Sequence, residues 1–145
     1  MLGVLATVQP RLASAQFAQA PLVEVWKSPT CGCCKDWIAH IQANGFRVRA
    51  NDTGNTAARA RLKIAERFGS CHTAVVDGYA IEGHVPASEI RRLLKERPAA
   101  IGLAVPGMPI GSPGMDGPEY RGRKDAYDVL LLRADGAASV YRRYA

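Results

Sequence analysis

The stretch Trp26-Lys27-Ser28-Pro29-Thr30-Cys31-Gly32-Cys33-Cys34-Lys35-Asp36-Trp37-Ile38 decides how this chain is read. Just before the cysteines, residues 23–28 alternate and are rich in β-formers, which predicts a strand. Pro29-Thr30 then turns the chain. Beyond the turn, Trp37, Ile38 and Ile41 recur at helical spacing, and Asn44-Gly45 supplies residues that accept the left-handed backbone of a helix end. Three of the four cysteines thus stand where a strand hands over to a helix, and the fourth, Cys71, is followed directly by His72.

Working outward, residues 46–50 alternate again as a second strand. Asn55-Thr56 can cap a second helix running to about Phe68, with Ala58, Leu62, Ala65 and Phe68 inward and Gly69 at its end. Residues 73–76 and 79–82 read as strands joined by a tight turn at Asp77-Gly78. Pro86 suits the first turn of a third helix, which carries Ile90, Leu93 and Leu94 inward and stops near Arg97-Pro98. The order β-α-β-α-β-β-α, with cysteines after the first strand, is the layout of an α/β, thioredoxin-like domain of the glutaredoxin type. A C-terminal extension follows. Residues 102–123 form a Pro/Gly-rich loop stiffened by four prolines, and residues 127–133 and 137–144 read as a hairpin turning at Asp135-Gly136. Within the loop, Pro106-Gly107-Met108 is echoed by Pro113-Gly114-Met115.

The chain has 145 residues, 48% of them apolar and 22% charged, which suits one soluble globular domain. It has no run of about 18 apolar residues, so no membrane span is expected. The net charge of +6 comes from scattered arginines without interleaved aromatics. That pattern reads as a solvated basic surface rather than a nucleic-acid site. Residues 1–8 are mostly apolar, and Ala13-Ser14-Ala15 and Ala18-Gln19-Ala20 fit the small-x-small pattern of a signal-peptidase site. Residues 1–20 are therefore expected to be a signal peptide or a disordered tail, and residues 21–145 the single folded domain. Export would place the protein in the periplasm, where exposed thiols are oxidised unless something holds them reduced.

Cys31 and Cys34 have the C-x-x-C spacing. At a helix mouth, free N–H groups and the positive dipole end lower a thiol's pKa, so Cys31 would attack and Cys34 resolve. Cys33 complicates this plain oxidoreductase reading, because a third thiol adds routes to wrong disulfides. A metal site gains from it, since thiolates select soft ions. In a glutaredoxin-like layout the residues just before the third strand lie against the C-x-x-C. Thioredoxin-like enzymes usually keep a cis-proline there, whereas this chain has Cys71-His72-Thr73. A zinc site of four thiolates, or of three thiolates and an imidazole, is open by count. Three thiols in four residues suit bridging thiolates better, and these build polynuclear Cu(I) sites. Met108 and Met115 are candidate thioether ligands or an apolar lid, and His72 is a candidate neighbour of the site. His84 fits either the same end of the fold or a backbone-bonded helix start. His40 reads as surface, as do Asp77 and Glu82. No phosphate loop, nucleophile elbow or H-E-x-x-H is present.

Four segments together resemble the bacterial CopG-type copper-resistance proteins. They are Trp26 through Cys34, Ser70-Cys71-His72-Thr73-Ala74, Glu82-Gly83-His84-Val85-Pro86-Ala87, and Val105 through Met115. The resemblance covers about residues 23–144. It implies a periplasmic thioredoxin-like protein made under copper stress, a cysteine-bridged copper cluster, and a role in copper redox handling with a periplasmic redox or copper-handling partner. Carried over, the ligands are Cys31, Cys33, Cys34 and Cys71, with His72, Met108 and Met115 as neighbours. The rival expectations are a thiol–disulfide oxidoreductase that needs only Cys31 and Cys34, and a structural zinc module.

Overall fold

The computed structural model describes residues 20–145. The expected signal peptide or tail, residues 1–20, lies outside the described residues except for Ala20.

The described chain is mixed α/β, a seven-stranded sheet with three α-helices. Strand β1 (Leu22–Lys27) leads through a turn into helix α1 (Gly32–Ala43), which returns to β2 (Arg47–Asn51) beside β1. Helix α2 (Thr56–Arg61) precedes the hairpin of β3 (His72–Val76) and β4 (Tyr79–Glu82). Helix α3 (Ala87–Glu96), β5 (Gly102–Ala104), β6 (Tyr127–Leu132) and β7 (Ala138–Tyr144) complete the order β2-β1-β3-β4-β5-β6-β7. The β1–β2 and β4–β5 pairs are parallel, and the remaining pairs are antiparallel.

One register positions the site. Lys27, the last residue of β1, pairs with His72, the first residue of β3. The loop leaving β1 toward Cys31 and the loop entering β3 from Cys71 therefore meet at the same end of neighbouring strands. The turn after β1 is tied down: the Lys27 ammonium is buried and paired with Asp52, and the Lys27 carbonyl accepts from Gly54 N–H.

The central strands β4 and β5 are buried along their whole length, and their successive side chains pack into two different clusters with the two-residue period of a pleated sheet. Val23, Val25, Ala74, Val76, Tyr79, Ile81 and Leu103 pack with Trp37 and Ile41 of α1 and with Ile90 and Leu93 of α3. The intervening Ala80 and Ala104 pack with Ile64 and Leu132, with Leu62 and Phe68 at the margin. Helices α1 and α3 therefore cover one face, while the α2 segment covers the other.

Two sequence expectations change. The second helix ends at Arg61 rather than near Phe68, because Lys63 takes a left-handed conformation (φ 60°). That break turns Ile64 into the core and leaves only a 3-10 turn at Glu66–Phe68. The second change concerns the expected loop, whose first residues form β5. Its register brings Gly102 against Ala80, where any Cβ would lie 1.7 Å from the Ala80 carbonyl oxygen. Only glycine can stand there. Through β5 the C-terminal hairpin joins the main sheet as its last two strands, rather than standing apart from it.

Candidate metal centre

Helix α1 carries the cluster because its N-terminus is left open. Cys31 occupies the N-cap in extended conformation, and no side chain caps this end. The first-turn N–H groups are thus free for sulfur or solvent. Cys34 is buried on the same helical face as Trp37 and Ile41, whereas Cys31 and Cys33 are half-exposed. Trp37 anchors that face: its indole N–H donates to the Val85 carbonyl at 2.9 Å, and its ring centroid lies 4.4 Å from that of His72.

The sequence-predicted cysteines converge. Cys31 and Cys34 are joined as a disulfide, and Cys33 and Cys71 are free thiols. The Cys33 sulfur lies 3.5 Å from that of Cys31 and 3.7 Å from that of Cys71. All four sulfurs lie within 4.8 Å of one another. Burial, then the neighbouring Cys33, pushes the Cys71 thiol up to about 12. A thiol held protonated in this way is a poor nucleophile at neutral pH, but a bound cation would release its proton.

Two histidines flank Cys71. His72, a sequence candidate, is fully buried with Nδ1 3.4 Å from the Cys71 sulfur. His84 is also fully buried, with Nε2 3.1 Å from the same sulfur and Nδ1 donating to the Pro113 carbonyl at 2.8 Å. The sequence left His84 undecided between the site and a backbone bond; it makes both contacts. Burial, then the neighbouring His84, lowers the His72 pKa to about 3, and burial likewise lowers that of His84. Both rings are therefore neutral and able to act as ligands. Among the described residues, His72 Nε2 is the one buried side-chain polar atom without a hydrogen-bond partner. With the disulfide reduced, four cysteine sulfurs and two neutral imidazoles, one of them carrying the orphaned nitrogen, form a donor set that fits a soft or borderline cation such as copper or zinc.

The two Pro-Gly-Met segments part company. The second packs against the site's scaffold: Gly114 lies on the first turn of α1, Pro113 holds His84, and the buried Met115 accepts a hydrogen bond at sulfur from Tyr120 at 3.3 Å. Met108 is 51% exposed and lines an open groove of about 540 Å³ with Pro106, Pro109, Asp125 and Tyr127. Its neighbour Gly107 accepts from the Ser70 hydroxyl, which ties that segment to the residue before Cys71.

Two residues read as surface are not. His40 is half-buried, and its Nε2 accepts from Ala87 N–H at the start of α3. Glu82 is fully buried. It accepts from Arg59 Nε and Ser70 N–H, both at 2.8 Å, and from the Thr73 hydroxyl at 2.5 Å. Arg59 and Asn55 both donate to the Ser70 carbonyl. This network clamps both sides of Cys71. Burial raises the Glu82 pKa. In sequence, a glutamate ending a strand gave no sign of burial, because its partner Arg59 is 23 positions away.

A family model described as a protein of unknown function, DUF411, matches residues 68–115, a span that holds Cys71, both histidines and both Pro-Gly-Met segments. Two solved structures are similar over almost their whole length. One, copper resistance protein CopG form 2, is 46% identical with a TM-score of 0.80, and the match covers 87% of this chain and 99% of that one. The other, copper resistance protein CopG form 1, is 48% identical with a TM-score of 0.78, covering 85% and 96%. No curated protein sequence matches the chain.

Proposed function

Since this chain belongs to the CopG copper-resistance family, we propose that it is a periplasmic copper-binding protein that holds Cu(I) through Cys31, Cys33, Cys34 and Cys71. The observation that carries this reading is the 3.7 Å separation between Cys33 and Cys71, residues 38 positions apart. It brings a fourth sulfur to three that the helix mouth already gathers. Cu(I) prefers thiolate ligands, and bridging sulfurs allow more than one ion to be held. Opening the Cys31–Cys34 disulfide to two thiols takes two electrons and two protons from a thiol reductant or a redox partner, and binding Cu(I) then releases the protons of the thiols that ligate it, so copper loading and thiol redox state are coupled. His72 and the Met115 lid border the seat and limit water access, and Met108 lies further out. The strand–C-x-x-C–helix unit supports a thioredoxin-like classification for the single domain over residues 21–145, and the small-x-small triplets support an export signal ahead of it.

The test is anaerobic titration of the reduced protein with Cu(I) against a moderate chelator, followed by metal analysis. At least one copper per chain is expected to be retained, and less than one overturns the proposal. Cys33→Ala and Cys71→Ala are each expected to abolish retention.

A second reading, a thiol–disulfide oxidoreductase, is favoured by the closed Cys31–Cys34 disulfide with its half-exposed first cysteine. It prevails if Cys33→Ala and Cys71→Ala bind copper normally while Cys31→Ala abolishes disulfide exchange on a protein substrate.

A further inference from the structure

Helix α3 starts without a side-chain cap of its own. Pro86 stands at its N-cap and carries no side-chain oxygen to offer the first turn. Ala87, the first helical residue, is buried, so its N–H is also closed off from water. The acceptor comes from another helix: Ala87 N–H donates to His40 Nε2 at 3.1 Å, 47 positions away. One turn earlier on α1, the Trp37 indole N–H donates to the Val85 carbonyl at 2.9 Å. Two hydrogen bonds running in opposite directions therefore straddle Pro86. They join the helix that opens with the cysteines to the turn that leads from His84 into α3.

The two bonds differ in chemistry. An indole N–H donates at every pH the protein meets. An imidazole accepts only while that nitrogen is bare, which puts the ring's one proton on Nδ1. A second proton would set a donor against the Ala87 donor and a positive charge at the positive end of α3. The charged groups around His40 are Asp36 one turn earlier on α1, Glu89 in the first turn of α3, and Asp116 in the segment beyond Gly114. Glu89 accepts from the Tyr144 hydroxyl, and Asp116 accepts from Gly114 N–H. Burial holds the His40 pKa below the ordinary imidazole value, and the attraction of Asp116 opposes this without cancelling it.

We propose that His40 is an acid-sensitive staple between α1 and the start of α3, closed while its ring is neutral and opened by protonation. The unfolded chain takes up this proton near the ordinary histidine value of about 6.5, and the folded chain only at lower pH. The staple's contribution is therefore complete above about pH 6.5 and is lost as the pH falls toward the folded value. Opening leaves the buried Ala87 N–H unpaired and loosens the turn that holds His84, without a change at any cysteine. The staple needs no metal and stands apart from the copper reading.

The test is nuclear magnetic resonance on the full-length, metal-free, disulfide-closed protein labelled with nitrogen-15, titrated from about pH 8 to pH 4.5. It follows the His40 ring nitrogens and the protection of the Ala87 amide against hydrogen exchange. At neutral pH, His40 Nε2 should resonate as a bare nitrogen and the Ala87 amide should be protected. Protonation of His40, with a midpoint below 6.5, should lower that protection by about tenfold or more. His40→Gln, whose side-chain oxygen does not titrate, should remove the step. His40→Ala should lower Ala87 protection at neutral pH, and if that variant fails to fold, the parent and His40→Gln decide the matter. An unprotected Ala87 amide at neutral pH, a His40 midpoint at or above 6.5, or a step that persists in His40→Gln overturns the proposal. The last outcome would assign the acid response to His72 or His84.

Discussion

Gly114 is pressed against the backbone of Cys33: a Cβ placed on it would lie 2.6 Å from the Cys33 carbonyl oxygen and 2.8 Å from Trp37 N. The residue before it, Pro113, accepts the hydrogen bond that orients His84. One short loop therefore touches the helix that carries three cysteines and also the histidine that faces the fourth.

Gly114→Ala should therefore be much worse than the same change in the echo segment. Both glycines have left-handed backbones, at φ 87° for Gly114 and 69° for Gly107, but a Cβ on Gly107 meets nothing within 4 Å. The conformation alone costs alanine about 1–2 kcal/mol at either site. At Gly114 the clash with Cys33 adds to it, for a total of at least about 2–3 kcal/mol. Urea unfolding of the two variants checks this, and equal losses would refute the close packing.

Trp37→Phe removes the donor to the buried Val85 carbonyl and opens space beside His72. The orphaned acceptor and the lost volume together should cost about 2–4 kcal/mol. Chemical denaturation measures the loss. A variant as stable as the parent would mean that a water replaces the indole N–H.

Glu82→Ala leaves Arg59 and the Ser70 amide without their shared acceptor and should cost about 3 kcal/mol. Arg59→Ala should cost less. The remaining carboxyl keeps Thr73 and Ser70 as donors, and burial already favours its protonated form. Thermal unfolding ranks the two variants, and the reverse order would sink this account of the network.

The unreduced protein should show two titratable thiols per chain on denaturation, from Cys33 and Cys71, and four after reduction. Reduction should also raise Cu(I) affinity by about tenfold or more, since two thiolates enter the donor set. Thiol counting and Cu(I) competition measure the pair. Equal affinity before and after reduction would detach Cys31 and Cys34 from copper.

Local signals carried far in this chain. The cysteine cluster at a strand–helix junction, the Asp77-Gly78 hairpin and the Pro86 helix start were legible because turn chemistry and hydrophobic period act over a few neighbouring residues. Strand β5 was hidden by its three-residue length and by its opening glycine, which answers to the Ala80 backbone rather than to its own neighbours. The early end of α2 depends on a left-handed lysine, for which no local rule speaks.

By itself, the sequence determined the chemistry on offer: three thiols at a helix mouth, and a fourth beside a histidine. Only the tertiary structure decided which groups meet. The pairing of Lys27 with His72 delivers Cys71 to the trio, and the second Pro-Gly-Met segment holds His84, which the sequence had left undecided. The reason is physical. Donor type is a property of one residue, whereas donor geometry depends on strand register and on contacts between residues tens of positions apart, and these exist only once the sheet has formed.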